Sequence, residues 1–272
     1  LKLGDVVETE WGKVRPSWFL QLAAAALDAL GSVSVMLGSE SHRFPHLDNF
    51  NALWSAGAGV RPQAWVIVQP VAPRHAGGQV PSLKEALVLA GSGAALRLWL
   101  LSTSCQKTLS FSAESLAMWV KNQHRLQDAG NAASLGGGKG GIAPELEQAI
   151  YDLKTAFASA LDDNLDLAHF WPRLFSFAKS VNAKAGRLSA AEAEAVGEQL
   201  MACDRVLGFL DQSRLPLAPR DWPAEARDLV LRREEARRSK DFSLADSLRH
   251  ELARMGLRLE DHALGARLYR QG

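Results

Sequence analysis

The sequence has few cysteines, and that shortage limits the kinds of protein it encodes. Its 272 residues include two cysteines, Cys105 and Cys203, which lie far apart and outside any CxxC or cysteine-histidine cluster. Neither a disulfide framework nor a self-contained zinc-binding motif is therefore indicated. A reducing compartment is expected, which is the cytoplasm or the interior of an organelle.

Charge of one sign and long apolar runs are also missing. Lys and Arg number 31 against 30 Asp and Glu, so no overall positive field attracts nucleic acid, and any RNA contact has to come from a local patch. The longest apolar stretch, residues 83–101, is interrupted by Lys84, Glu85 and Arg97, so we expect no membrane span and no membrane partner. The chain starts at Leu1, as expected of a fragment or a processed product.

An apolar fraction of 47% is enough for a packed core, and the first third of the chain predicts a small α/β layer. The Ala-rich run Trp18–Leu30 predicts a helix that stops at Gly31. Residues 32–37 predict a short strand, 45–56 a helix with proline in its first turn, and 64–68 a β-branched second strand.

Helical signals dominate after residue 82, over 82–90, 94–101 and 112–128. The Gly-rich segment 130–141 follows and could be mistaken for a phosphate loop. Such a loop needs a preceding strand and a Ser or Thr after its lysine, and Lys139 is followed by glycine. We therefore predict a flexible linker at 130–141.

The rest of the chain predicts a helical bundle and a small terminal module. Apolar residues recur every three or four positions over 144–161, 165–185 and 189–210. A proline-containing segment, 213–223, leads to two helices, 224–238 and 243–255, and a hairpin whose strands flank Gly265.

The predicted fold class is mainly α with a small α/β part. It consists of a partial Rossmann-like nucleotide-fold remnant, a helical bundle and a C-terminal helix-helix-hairpin module. The predicted domains are residues 1–110, a degenerate partial catalytic domain; 111–212, an anticodon-binding-type bundle; and 213–272, an anticodon-recognition-like module.

Collinear short matches along the whole chain carry a family resemblance. They are Arg15-Pro16-Ser17-Trp18, Phe44-Pro45-His46, Ala94 to Leu98, Leu109 to Ser112, Leu161 to Leu165 and, at the end, Arg233 to Asp246 with Leu257 to Asp261. In this order and approximate spacing the chain resembles cysteinyl-tRNA synthetases, which are class I aminoacyl-tRNA synthetases. The resemblance covers the second half of the family's catalytic domain and its C-terminal anticodon-binding region.

The resemblance implies a zinc ion that is held by cysteine, histidine and glutamate side chains of the protein. This zinc binds the thiolate of the substrate cysteine. Where the family has Trp-His-Ile-Glu-Cys-Ser, this chain places Leu22 at the cysteine position. Where the family has Phe-Pro-His-His-Glu-Asn-Glu, it places Phe50 at the glutamate position. His46 is the only surviving ligand position, and a lone histidine at a helix start is more typical of capping or packing. We therefore predict no metal site.

Nucleotide-binding motifs of the family are replaced as well. Met36 to Glu40 stands where His-Gly-Gly-Gly is expected, and Val71 to Gly78, which contains Arg74, replaces the Lys-Met-Ser-Lys-Ser loop. The lysines of that loop stabilise charge on the triphosphate in the family. We predict no catalytic residues, no cofactor-binding residues and no cofactor in this chain, and zinc and ATP only if it is part of an active enzyme.

The C-terminal module keeps the residue types that the resemblance implies for anticodon reading. Arg237, Asp246 and Asp261 fall on the positions by which the family reads three anticodon bases. A guanidinium donates to a base edge or phosphate, and a carboxylate accepts from the N–H groups of splayed bases. On spacing alone, Arg237 with Asp241 is a simple ion pair, Asp246 a helix cap and Asp261 a turn residue.

Basic side chains near these three positions are predicted to contact phosphates. They are Arg232, Arg233, Arg237, Arg238, Lys240, Arg249, Arg254 and Arg258.

Three functions remain open at this stage. The leading one is a synthetase-like protein that binds tRNA, cysteine-specific if any, through its C-terminal region and has lost the zinc and ATP sites. The second is part of a working cysteine-tRNA ligase, or of the related branch that joins cysteine to an amino sugar, with the missing catalytic half supplied by a protein partner or an upstream segment. The third is a structural subunit of a larger complex such as a ribosome.

Overall fold

A computed structural model describes residues 6–10, 12–15, 17–262 and 265–271. The chain is mainly α-helical with a small α/β part. It forms two compact units, one of residues 1–78 with 105–110 and the other of residues 79–104 with 111–272. The three predicted domains divide the chain differently and stay a prediction.

The first unit holds short strands and two helices. In chain order the elements are β1 (Val7–Thr9), β2 (Gly12–Val14), α1 (Trp18–Leu30), β3 (Val35–Ser39), α2 (Asp48–Ala58), β4 (Ala64–Val68) and β5 (Val71–Pro73). Strands β1 and β2 pair antiparallel, and β3 and β4 pair in parallel with Val35 opposite Ala64. The predicted helix over 18–30 and its stop at Gly31, which has a φ of 69°, are confirmed.

Residues 40–47 differ from their prediction. The chain makes a 3-10 turn at Glu40–His42 and a π-helical turn at Arg43–Leu47, so α2 begins at Asp48 instead of Pro45. Phe44 has the extended φ and ψ of −132° and 135°. The residue before a proline is disfavoured in the α region, which explains why the regular helix starts later.

The second unit is a helical bundle with a terminal module. Its elements are α3 (Leu83–Ala90), α4 (Gly93–Leu100), α5 (Ala113–Ser134), α6 (Pro144–Asp162), α7 (Phe170–Ala183), α8 (Ala190–Leu207), α9 (Ala224–Arg238), α10 (Phe242–Arg254), β7 (Leu257–His262) and β8 (Gly265–Arg270). The remaining strand, β6 (Leu109–Phe111), pairs with β5 of the first unit.

No helix among the described residues is both long and apolar enough to cross a membrane.

Helix α5 is central to the bundle, because α3, α4, α7 and α8 all pack against it. The bundle core contains fully buried side chains from several helices, such as Leu98, Leu126, Phe170, Leu174 and Leu200. These positions follow the three- and four-residue spacing seen in the sequence.

The Gly-rich segment 130–141 is not a flexible linker. Gly130 lies within α5 and is buried, and a Cβ there would meet the Leu215 side chain. Gly138 pairs with Ser189 in a parallel bridge, with Gly138 N donating to Leu188 O over 3.2 Å. The segment packs against the start of α8, and glycine lets its backbone approach that closely.

Candidate nucleic-acid interface

The terminal module is built on α9, α10 and the hairpin of β7 and β8. Strand β7 pairs antiparallel with β8, with Leu259 opposite Leu268. A separate apolar core joins the four elements through eight buried residues: Ala226, Leu229, Val230, Leu248, Leu252, Leu257, Leu259 and Leu268. This core fixes β7 beside α9, so that the end of the strand lies next to the last turns of the helix.

Two arginines of α9 converge on Asp261 at the end of β7. Arg233 donates from both terminal guanidinium nitrogens, Nη1 to Oδ1 over 2.8 Å and Nη2 to Oδ2 over 2.9 Å. Arg237, one helical turn later, also contacts Oδ2. The hydrogen bonds from Arg233, with a smaller contribution from Arg237, lower the pKa of Asp261 to about 2. The carboxylate is therefore ionised at neutral pH.

Burial separates these two arginines. The Arg233 side chain is 6% exposed, although the sequence placed it among the RNA-contacting cations. The Arg237 side chain is 45% exposed and that of Asp261 is 49% exposed. Arg237 and Asp261 are thus open to a ligand, whereas Arg233 contacts Asp261 from the buried side.

Asp246 and Lys240 lie near this network without forming part of its ion pairs. Asp246 is exposed in the second turn of α10. The hydrogen bonds that Arg233 donates to Asp261 are the main cause that raises the pKa of Arg233, and the charge of Asp246 adds to it. Lys240 is exposed between α9 and α10, with a φ of 59°. Asp241 caps α10 by accepting from Leu244 N over 3.0 Å. The local interpretations of Asp246 as a cap and of Arg237 with Asp241 as an ion pair are wrong.

An exposed aromatic residue at the start of α10 was missed from the sequence. Phe242 is the first residue of α10, directly after Lys240 and Asp241, and is 63% exposed. The missed signal was a phenylalanine directly after a lysine and a helix-capping aspartate, outside the apolar spacing of the helix. An aromatic face beside cations is suited to stacking on an unpaired base.

The predicted RNA-binding part of the chain is more basic than the whole. Residues 213–272 contain 13 Lys and Arg against 10 Asp and Glu, whereas the complete chain is close to balanced. Several of these cations form exposed ion pairs, such as Arg238 with Glu235 and Arg232 with Asp228. Exposed pairs are weak, so their cations remain available to phosphates.

In the first unit, the retained histidine lies among aromatic rings. His46 contacts Trp18 and Phe19, with ring centroids 5.7 and 5.1 Å apart, and Phe50 packs edge-on against both aromatic rings. Its Nδ1 is buried without a hydrogen-bond partner. Arg74 is exposed just after β5.

Known proteins align with this chain over nearly its whole length. It is 28% identical to the cysteine-tRNA ligase of Symbiobacterium thermophilum over 94% of this chain and 57% of that protein. The cysteine-tRNA ligase of Chlamydia pneumoniae is also 28% identical, over 96% of this chain and 56% of its own length. No protein-family model matches the chain.

This chain is related to cysteine-tRNA ligases. The resemblance inferred from the sequence is thereby confirmed, and the chain spans a little over half the length of these relatives. Among solved structures, the ternary LeuRS-tRNA-LeuAMS complex from Agrobacterium radiobacter matches with a TM-score of 0.53 and 11% identity, over 75% of this chain and 33% of that one. At that identity the match shows a shared fold.

The residues of this ligase relative do not fit the zinc that the resemblance implies. Among the described residues, no three His, Cys, Asp or Glu side chains are grouped closely enough to hold a metal ion. The rings next to His46 are those of Trp18 and Phe19 and one further imidazole, His42, at 5.1 Å between centroids. Two imidazoles are short of the four donors that a structural Zn²⁺ site takes from thiolate, imidazole and carboxylate groups. Leu22 and Phe50, at the other two ligand positions, carry no donor atom.

Proposed function

We propose that this chain binds tRNA through the surface formed by α9, α10 and β7 and does not activate cysteine. The observation that supports this proposal most is the ionised Asp261 carboxylate at the surface, held by Arg233 and Arg237. A fixed carboxylate next to an exposed guanidinium offers both an acceptor and donors to the edges of unpaired bases. Phe242 and Lys240 add a stacking face and a phosphate contact.

The proposed loss of cysteine activation is supported by the first unit. Aromatic packing around His46 replaces a donor set, and a soft metal is what selects a thiol over a hydroxyl. Arg74 is a single cation on a short loop. Stabilising the charge on a triphosphate requires several positioned cations. The tRNA-binding part of such a protein is expected to act without ATP turnover.

The test is gel-shift binding of the chain to cysteine tRNA and to the same tRNA with a changed anticodon. We expect binding to weaken with the changed anticodon and in the triple variant Arg237→Ala, Asp246→Ala, Asp261→Ala. Arg173→Ala, which removes an exposed arginine of α7, is the matched control and is expected to bind like wild type.

The two halves of the proposal are separated by a second assay. ATP-pyrophosphate exchange with cysteine is expected to stay at background, and exchange well above background would contradict the lost chemistry while leaving tRNA binding intact. If neither the changed anticodon nor the triple variant weakens binding, the proposed tRNA recognition is overturned and the structural-subunit function is favoured.

A second candidate function is supported by the parallel pair β3 and β4. Parallel strands are usually covered on both faces and extended into larger sheets, yet Val35 and Leu37 of β3 are 51% and 67% exposed. We propose that a further polypeptide segment covers this pair if the chain is part of a working ligase. Mutating Leu37 to Glu would then abolish cysteine activation in the assembled enzyme but leave tRNA binding by this chain unchanged.

A further inference from the structure

One feature of the terminal module is left unexplained by tRNA contact, which is the burial of Arg233. Buried arginines are uncommon unless they are paired, because removing a guanidinium from water is costly. Arg233 lies three and four residues after Val230 and Leu229, on the face of α9 that packs into the module core. Its charge is therefore satisfied from inside the protein, by the carboxylate of Asp261.

The contact between Arg233 and Asp261 fixes the orientation of the Asp261 carboxylate as well as pairing its charge. Two parallel N–H···O bonds of 2.8 and 2.9 Å align the plane of the carboxylate with that of the guanidinium. Because the guanidinium is packed on the core, the carboxylate plane is set by α9. The single contact from the half-exposed Arg237 carries no such constraint.

The same contact leaves Asp261 able to accept further hydrogen bonds. An ionised carboxylate has about four acceptor positions on its two oxygens. Arg233 uses two of them and Arg237 uses one. Without the Arg237 contact, each oxygen of Asp261 would have one unused acceptor position while Arg233 still holds both oxygens.

We infer that Arg233 is a positioning residue for base reading, which holds the Asp261 carboxylate in the orientation that accepts N–H donors from an unpaired base and does not touch the RNA. This inference rests on the proposed tRNA binding. It divides the two arginines of α9 by role. Arg237 leaves the carboxylate and contacts RNA, whereas Arg233 stays with the carboxylate.

Salt dependence separates these roles, because each cation that neutralises a phosphate contributes to the slope of log affinity against log salt concentration. Arg233→Met and Arg237→Met remove the same charge from the same helix, four residues apart. Both variants are assayed with cysteine tRNA and its anticodon-changed form at several salt concentrations. We expect Arg237→Met to make the slope shallower by about 0.7, the value for one contact to a single strand. We expect Arg233→Met to leave the slope unchanged.

Discrimination between the two tRNAs is the second readout. We expect Arg233→Met to lose roughly tenfold in discrimination, as expected for loss of one good pair of hydrogen bonds to a base, and Asp261→Asn to lose as much. The double variant is expected to be no worse than Asp261→Asn alone, because both changes remove one function. Arg233→Lys, which keeps the charge without the paired donors, is expected to recover part of the discrimination.

Each result bears on the inference. A lower salt slope with unchanged discrimination in Arg233→Met would show that Arg233 is an RNA contact, and additive losses in the double variant would show independent roles; both overturn the inference while the proposed function stands. Wild-type protein that fails to distinguish the two tRNAs overturns both. If Arg233→Met does not fold by circular dichroism, Arg233→Lys decides, and full discrimination in that variant overturns the inference.

Discussion

At the residue scale, the ion pair between Arg237 and Asp261 joins the last turn of α9 to the end of β7. Arg237 and Asp241 stand four apart on what reads as a helix, and local spacing alone makes them partners. In the structure, Asp241 is occupied in capping α10, and Arg237 pairs with Asp261. The partner lies 24 residues further on, at the end of a strand, and only the apolar core between α9 and β7 brings it near.

The same pairing predicts how stability depends on pH. The folded pKa of Asp261, about 2, is below its ordinary value of 3.8, so the folded state holds the proton less tightly than the unfolded chain does. Its contribution to stability is therefore complete above about pH 4 and is lost as the pH falls towards 2. Wild-type protein and Asp261→Asn are compared by urea unfolding from pH 6 to pH 3.

We expect the stability gap between the two proteins to narrow steadily below pH 4. The matched control is Asp228→Asn, which removes an exposed aspartate that pairs with Arg232 within α9, and it is expected to change stability little at any pH. A gap for Asp261→Asn that stays constant down to pH 3 would contradict an ion-paired carboxylate at this position.

At the scale of elements, strong local signals located helices and strands well. The Ala-rich run that ends at Gly31 and the β-branched run 64–68 have the predicted boundaries. The Gly-rich segment 130–141 does not behave as predicted, because its conformation is set by contacts with Leu188 and Ser189, some fifty residues away. The glycine content of this segment indicated flexibility, but in the structure glycine allows its backbone to pack closely against the start of α8.

That packing predicts a difference between two neighbouring glycines. A Cβ at Gly136 would overlap the side chain of Ala193, whereas a Cβ at Gly137 would meet nothing within 4 Å. We expect Gly136→Ala to destabilise the protein by about 1–3 kcal/mol, the usual cost of overpacking, because α8 has to move away. Gly137→Ala is the control and is expected to change stability little.

Urea unfolding followed by circular dichroism at 222 nm measures both variants. Equal stability of the two would mean that residues 130–141 are free of α8 and would restore the flexible-linker interpretation.

At the scale of the whole molecule, the helical class and the relationship to cysteine-tRNA ligases followed from pattern and collinear motifs. The division into two units did not follow from the sequence, because it depends on which helices pack together. Helix α4 precedes residue 110 and was assigned to the first predicted domain, yet it packs on α5. Trp99 of α4 donates from Nε1 to Ser115 Oγ over 3.3 Å, and Arg97 donates from Nε to Leu207 O over 2.6 Å.

Two fragments distinguish the predicted boundary from the observed packing. One fragment starts at residue 79 and keeps α3 and α4, and the other starts at residue 111 and lacks them. Leu98 and Trp99 are almost fully buried in the second unit, and burying a large apolar side chain stabilises by about 1.5–3 kcal/mol. We expect the fragment 79–272 to unfold cooperatively and to be more stable in urea by several kcal/mol.

The variant Trp99→Ala in the longer fragment tests whether packing is the cause. It is expected to cost about 3–5 kcal/mol and so to move the longer fragment most of the way towards the shorter one. If both fragments instead had the same urea midpoint, helices α3 and α4 would contribute nothing to the bundle, and a boundary near residue 110 would describe the chain better. Because the bundle core reaches α4 through Leu98 and Trp99, the expected boundary is the one at residue 78.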